Sequence, residues 1–87
     1  MMNSNVDQIS DDQIAELNKF GLGFYYSNSS KEYISHAVNS GESGISYDPL
    51  HSAPFILRTR QWDDDTCQYE DTYERFESFA KLKAELV

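Results

Sequence analysis

Polar and apolar residues near the start of the chain follow the pattern of a short amphipathic helix. Ser10 stands before the pattern and Gln13 follows three residues later, which is the spacing of a capping box at a helix N-terminus. Gly21 is a typical residue at a helix C-terminus. The apolar positions at helical spacing between them are Ile14, Leu17 and Phe20. The pattern predicts a short helix from residue 10 to residue 20, after a polar segment over residues 1–9 that we expect to be flexible apart from Ile9, which could pack on Ile14 as a hydrophobic staple.

Three runs in the middle of the chain are typical of β-strands. The run from Leu22 to Ser27 is short and rich in aromatic residues. The run from Phe55 to Trp62 alternates between two sets of side chains, as a strand with two different faces does. The run from Ile45 to Asp48 precedes it across a short connection, so we expect these two runs to pair as antiparallel strands.

The segment from Lys31 to Asn39 fits both a strand and a helix. Its apolar residues alternate by twos, but they also form one stripe at helical spacing. Ser29 and Glu32 have the spacing of a second capping box, and Gly41 stands where a helix would end. We therefore predict a helix here, with the strand as the alternative, and a turn or loop over residues 40–44.

Apolar and acidic residues of the last third separate onto opposite sides if residues 69–86 are helical. The apolar side contains Tyr69, Tyr73, Phe76, Phe79, Ala80 and Leu86. The acidic side contains Glu70, Glu74, Glu77 and Glu85. The pattern predicts a long, acidic, amphipathic C-terminal helix. The whole chain is then an α+β protein in which residues 10–87 form one domain, with two or three helices covering a small antiparallel sheet of about three strands.

The composition of the chain limits the kinds of partner that the protein can bind. Seven Lys and Arg against fifteen Asp and Glu give a net charge of −8, which repels both nucleic acid and anionic membranes. The content of 39% apolar residues predicts a folded core. A single cysteine forms no internal disulfide, there is no apolar run of about 20 residues, and the start lacks signal-peptide features. We therefore expect a cytoplasmic protein that binds neither nucleic acid nor membrane directly.

Residues with catalytic or metal-binding chemistry are few. Cys67 lies in an acidic stretch that disfavours its thiolate, and nothing in the spacing brings His36 or His51 near it, so we expect a partly buried structural cysteine. Zinc would need further paired ligands. The carboxylates from Asp63 onward partly match a calcium loop, but Gln68 stands where that loop needs glycine. We therefore expect no catalytic residue, metal or cofactor. An enzyme that uses Cys67 or a histidine is an open hypothesis beside the two binding functions given below.

Most of the net charge falls in one short segment. Between Asp63 and Glu77, seven acidic residues and one basic residue give a local charge of −6. The acidic residues are Asp63, Asp64, Asp65, Glu70, Asp71, Glu74 and Glu77. Such a row could occupy a groove that Lys and Arg line for nucleic acid. It could equally be a solvated face, with Arg58 and Arg60 of the predicted strand either paired with it or at an exposed edge.

Two short segments carry a resemblance to a known group of proteins. Tyr69-Glu70-Asp71, at the predicted start of the last helix, and Leu82–Leu86, at its end, resemble a type II-A anti-CRISPR. The chain is thus similar to the small acidic phage-encoded inhibitors that imitate DNA. The resemblance implies a non-enzymatic inhibitor in which Glu70, Asp71 and Glu74, together with Asp63 to Asp65, would block the DNA-binding site of a CRISPR effector. The alternative is an immunity or anti-restriction protein that neutralises a nuclease by charge complementarity.

Overall fold

Five strands and two short helices make up the computed structural model, which describes residues 9–37 and 41–87. In chain order the elements are α1 (Asp11–Asn18), β1 (Tyr25–Ser27), β2 (Glu32–Ser35), β3 (Glu42–Tyr47), β4 (Phe55–Asp63), β5 (Gln68–Phe76) and α2 (Phe79–Leu86). The strands form one antiparallel sheet in the order β1-β2-β3-β4-β5. The α+β class is therefore confirmed, whereas the expected number of about three strands is wrong.

The capping box at the start of α1 is confirmed. The Gln13 backbone N–H donates to Ser10 Oγ, and the Ser10 N–H donates to Gln13 Oε1, both over 3.2 Å. These bonds satisfy backbone donors that a helix N-terminus otherwise leaves free. Ile14 and Leu17 are buried, as their spacing predicts, but Phe20 lies beyond the end of the helix and is exposed.

The hydrophobic core lies between one face of the sheet and the two helices. Its buried residues are Ile9, Ile14, Leu17, Phe24, Ile45, Phe55, Leu57 and Leu82. Leu17 of α1, Ile45 of β3 and Leu82 of α2 are completely buried, so both helices and the sheet contribute a fully enclosed apolar side chain. Ile9, at the end of the segment predicted to be flexible, is part of this core; residues 1–8 lie outside the described residues.

The strands predicted in the middle of the chain are present, with somewhat different bounds. The run from Leu22 to Ser27 contains β1, and the run from Phe55 to Trp62 corresponds to β4. The antiparallel pairing of β3 with β4 is confirmed. The strand predicted for Ile45–Asp48 begins earlier, at Glu42, so the predicted loop over residues 40–44 is wrong for the part that belongs to β3.

The helix predicted for Lys31–Asn39 is wrong where the structure describes this segment, because residues 32–35 form β2. Lys31 has a φ of 60°, which ends the turn after β1 and returns the chain antiparallel to it. Ile34 then pairs with Tyr25 on one side and with Gly44 on the other. Pairing with two strands satisfies backbone groups along the whole segment and outweighs the local capping pattern. The last two residues of the predicted helix lie outside the described residues.

The long C-terminal helix is also wrong. The first eight residues of its predicted length, 69–76, belong to β5, which pairs with β4 in nine successive positions from Phe55 opposite Phe76 to Asp63 opposite Gln68. Residues 64–67 turn the chain between the two strands, and the Cys67 N–H donates to the Asp63 carbonyl over 2.8 Å. The two strands therefore form a long hairpin along one side of the sheet.

Only residues 79–86 at the end of the chain are helical, and Ser78 caps them by accepting from the Lys81 N–H. The apolar and acidic pattern of residues 69–86 wrongly predicted a helix, because a spacing of four residues places side chains on one face in a helix and in a strand alike. Tyr69 and Tyr73 share a face in a helix and in a strand. None of the helices in the described part of the chain is long and apolar enough to cross a membrane.

Candidate functional site

The β4–β5 hairpin has two chemically different sides. Its helix side is the side on which Phe55 and Leu57 enter the core; its open side carries no helix. Toward the turn, the helix side contains Gln61, Asp63, Gln68, Glu70, Thr72 and Glu74. The open side contains Arg60, Trp62, Tyr69, Asp71 and Tyr73. The alternation of the strands thus places the exposed aromatic residues on the open side and all the acidic strand residues except Asp71 on the helix side.

Four predicted site residues gather at the turn of the hairpin. Asp63, Asp64, Asp65 and Glu70, which we call the acidic tip, line one side of an open cavity of about 470 Å³. Among the described ion pairs, none involves a residue of the acidic tip. The concentration of unneutralised carboxylates that the sequence predicts therefore exists, although on a hairpin and not on a helix.

The other three predicted site residues lie apart from the acidic tip. Glu74 is on the helix side, four residues along β5 from Glu70, or about 13 Å at the usual strand rise. Asp71 is on the open side, where it binds arginine. Glu77 follows the strand and pairs with Lys81 over 2.6 Å. The acidic stripe expected for Glu70, Glu74 and Glu77 along one side of a helix is therefore not formed.

Two carboxyl groups of the acidic tip interact directly. Asp63 Oδ1 accepts from the Asp65 backbone N–H over 2.9 Å, and this bond lowers the pKa of Asp63. The hydrogen bond and the charge of Asp63 raise the pKa of Glu70, which lies diagonally across the hairpin on the same side. The carboxylate of Asp63 therefore disfavours the ionised form of Glu70.

Arg58 organises the open side of the sheet, which the sequence did not indicate in detail. It is only 6% exposed and donates to both Glu32 oxygens, to Glu42 over 2.7 Å and to Asp71 over 3.5 Å. The hydrogen bonds to Glu32 and then to Glu42 raise the pKa of Arg58, although burial alone would lower it. This cluster ties β2, β3, β4 and β5 together on the face opposite the core.

Glycine at position 44 makes room for this cluster. A Cβ atom there would lie 2.6 Å from Glu32 Oε2 and 2.9 Å from Arg58 Nη2, closer than either atom tolerates. Arg60, two residues along β4, donates to Asp71 over 2.9 Å and holds the pKa of Asp71 below its usual range. Of the two alternatives for Arg58 and Arg60, pairing with an acidic residue is therefore the one that forms, through Asp71, since β4 lies between two strands and is not an edge.

Exposed aromatic residues surround Arg60 on the open side. Trp62 packs edge-to-face on Tyr69 with ring centroids 5.0 Å apart, and Arg60 lies 6.0 Å from the centre of the Tyr69 ring. Trp62, Tyr69 and Tyr73 nevertheless remain 52%, 64% and 68% exposed. The sequence signal for this patch is the alternation of Tyr69, Asp71 and Tyr73, which a strand assignment places on one side.

The residues considered for catalysis are not brought together by any described contact. Cys67 is exposed in the hairpin turn with a φ of 55°, so the expected partial burial is wrong. His36 Nε2 lies 3.2 Å from the Tyr25 hydroxyl, and His51 Nδ1 accepts from a nearby backbone N–H. Over residues 9–37 and 41–87, no group of three or more His, Cys, Asp and Glu is arranged to bind a metal ion.

Comparisons with known proteins do not place the chain in a family. No protein-family profile, no curated protein and no solved structure matches it. Of the segments that resemble a type II-A anti-CRISPR, Tyr69-Glu70-Asp71 lies in β5 and Leu82–Leu86 lies in α2. The fold and the site therefore define the class: a small α+β protein with an acidic β-hairpin.

Proposed function

We propose that this protein is a non-enzymatic inhibitor that inserts the acidic tip of its β4–β5 hairpin into a basic nucleic-acid-binding surface of another protein. The favoured target is a CRISPR effector, whose binding of target DNA the hairpin would block. One observation carries the proposal. From Gln61 to Glu74 the chain has six acidic residues and no lysine or arginine, and the four that form the acidic tip have no described ion-pair partner.

The distribution of the basic residues supports a role for the tip beyond solubility. Five of the seven basic residues of the chain pair with acidic residues elsewhere. They are Arg58, Arg60, Arg75, Lys81 and Lys83. Carboxylates gathered without counter-charges repel one another and reduce stability. A basic partner would remove that repulsion and form charge-assisted hydrogen bonds with the same groups.

The shape of the hairpin suits a groove that normally holds DNA. The molecule measures 49 × 28 × 25 Å, and a two-stranded ribbon is narrower than a duplex. Carboxylates at the turn and at Glu74 place negative charge at intervals along one side of this ribbon. Long-range attraction would steer the hairpin to a basic groove, so affinity should fall steeply as salt rises.

A pair of double variants with the same charge change tests the proposal. Asp64→Asn with Glu70→Gln removes two charges from the acidic tip. Asp12→Asn with Glu85→Gln removes the same two residue types from exposed positions elsewhere. Binding to a purified guide-RNA-loaded type II-A effector is measured by interferometry, with and without duplex DNA carrying the target site.

The expected result is a loss of at least about tenfold in affinity for the tip variant and less than about twofold for the control. Duplex DNA should compete with the wild-type protein. Equal losses in both variants would show that bulk charge, and not the tip, determines binding. Failure of the wild-type protein to bind at about 50 mM salt would exclude this effector as the target.

The alternative is an immunity or anti-restriction protein that neutralises a nuclease without imitating DNA. The exposed patch of Trp62, Tyr69 and Tyr73 favours it, because Trp and Tyr dominate tight protein–protein interfaces. In this case Trp62→Ala should weaken binding to the nuclease more than the tip variant does, and DNA should not compete. The competition experiment therefore separates the two functions.

A further inference from the structure

The outer edge of β5 is long and has little protection. β5 spans nine residues, is paired with β4 alone, and is exposed at every position except its last, which is half-buried. In an antiparallel sheet, alternate residues of an edge strand direct their N–H and C=O groups away from the neighbouring strand. The segment from Gln68 to Phe76 contains no proline or lysine; the protection it has comes from four charged side chains, Glu70, Asp71, Glu74 and Arg75, three of which are acidic and would attract a basic strand.

Side chains on both sides of this edge define the chemistry of a strand that could pair with it. On the helix side the edge presents Glu70 and Glu74, neither of which is in a described ion pair. On the open side it presents Tyr69 and Tyr73, both largely exposed. A complementary strand would place Lys or Arg opposite the carboxylates and apolar or aliphatic side chains beside the tyrosine rings.

A second copy of the chain is a poorer complement. A two-fold pairing of β5 with itself about Thr72 places Glu70 opposite Glu74 twice, and a pairing about Asp71 places that residue opposite itself. A pairing about Tyr73 does bring Asp71 opposite Arg75 on the open side. On the helix side, however, it brings Glu70 and Glu74 of both copies together, and these four carboxylates repel one another. Each copy also carries a charge of −8.

We propose that β5 is a docking edge for an extended segment of another protein that carries Lys or Arg at alternate positions, and that this segment adds a sixth strand to the sheet. Main-chain hydrogen bonds supply affinity in such β-strand addition, and alternate side chains supply specificity. The proposal goes beyond the function proposed above, because it concerns the backbone of β5 and does not require that the partner bind DNA. A partner can use this edge whether or not it contacts the acidic tip.

Synthetic peptides test the edge with the protein unchanged. The probe is a nine-residue peptide with Lys at alternate positions and Val or Thr between them, matched in length to β5. Two further peptides of the same sequence are N-methylated on alternate residues, one in each of the two possible frames. Only one frame of amide groups can face β5, so the two methylated peptides have equal charge and differ only in their ability to pair.

Dissociation constants come from calorimetry with the full chain, and hydrogen exchange of its backbone amides locates the contact. The expected result is a loss of at least about tenfold for one methylated peptide, less than about threefold for the other, and slowed exchange confined to the outward amides of β5. Equal binding of both methylated peptides would overturn the proposal, because attraction of charge alone would then explain it.

Three other outcomes would also overturn the proposal. They are no binding of the unmethylated peptide at low salt, slowed exchange elsewhere than in β5, and concentration-dependent protection of β5 without peptide, which would identify a second copy as the occupant. Glu74→Lys should weaken peptide binding while leaving the four residues of the acidic tip intact. The peptide experiment contains no effector and the effector experiment contains no peptide, so either can succeed while the other fails, and the two results together distinguish failure of the edge from failure of the proposed function.

Discussion

Replacing Arg58 with methionine would leave three carboxylates of the open side without the guanidinium they share. Arg58 donates to Glu32, Glu42 and Asp71, whose side chains are 13%, 23% and 26% exposed. Methionine has a similar length and fills the apolar part of the space, so the change removes the charge and the hydrogen bonds more than the packing. Only Arg60 then remains near this group, and it contacts Asp71 alone.

Removing one partner of a buried ion pair typically costs about 3–5 kcal/mol, because the remaining charge is left uncompensated in a poorly solvated place. The partial exposure of the three carboxylates lets water reach them, so we expect a cost near the lower end, about 3 kcal/mol. A domain of 87 residues has a free energy of unfolding of roughly 4–13 kcal/mol. The substitution should therefore remove a large fraction of the stability at neutral pH.

Urea denaturation followed by far-ultraviolet circular dichroism measures the change in the free energy of unfolding. The matched control is Arg60→Met, the same substitution two residues along the same face, at a side chain that is 42% exposed and pairs only with Asp71. It should have a much smaller effect, because exposed ion pairs contribute little. Adding Glu32→Gln to Arg58→Met should restore part of the loss, since it removes one of the uncompensated charges.

The pH dependence gives a second check on the same reasoning. The stability gap between Arg58→Met and the wild-type protein should narrow as the pH falls and Asp71 becomes protonated, because Arg60 and Arg58 together hold the pKa of Asp71 below its usual range only in the folded wild-type protein. The reasoning would be refuted if Arg58→Met changed the free energy of unfolding by less than about 1 kcal/mol, or if Arg60→Met were equally destabilising. A gap that stayed constant down to low pH would show that packing, and not charge, is responsible.

Three further changes test the core, the helix cap and the acidic tip. Leu82→Ala removes a completely buried side chain and should cost about 3 kcal/mol in urea denaturation. Ser10→Ala removes the Oγ that accepts from the Gln13 N–H, although the backbone N–H of residue 10 can still donate to Gln13, and it should cost about 1 kcal/mol, measured in the same way. Glu70→Gln should raise the midpoint of thermal unfolding at pH 7, because Asp63 raises the pKa of Glu70 and folding therefore disfavours its ionised form. This rise in the unfolding midpoint should vanish at a pH low enough to protonate Glu70 in both the folded and the unfolded chain. The repulsion between Asp63 and Glu70 is lost as the pH falls through the pKa of Glu70.

For each of these three substitutions, one outcome would contradict the predicted effect. A loss below about 1 kcal/mol for Leu82→Ala would mean that α2 does not pack on the core as described. Ser10→Ala should leave the denaturant slope unchanged, and an altered slope would indicate a wider rearrangement than a lost cap. If Glu70→Gln lowered the unfolding midpoint at neutral pH, the interaction with Asp63 would be stabilising and not repulsive.

Local chemistry alone predicts part of this protein correctly. Ser10 and Gln13 define the start of α1 because the capping box depends only on residues that are adjacent along the chain. The alternation from Phe55 to Trp62 predicts β4 because both of its faces have distinct surroundings. The concentration of acidic residues from Asp63 onward is likewise a property of the sequence, and it correctly locates the charged part of the surface.

The tertiary structure alone decides how the acidic residues are arranged. Tyr69 and Tyr73, like Glu70 and Glu74, are four residues apart, a spacing that keeps them on one side in either a helix or a strand. Nine pairings with β4 select the strand, and they divide the acidic residues between two sides of a hairpin. The partners of Arg58 come from three other strands, so no local pattern predicts them. Sequence determines which groups are charged, whereas pairing between distant segments determines which of those charges are neutralised and which remain available to a partner.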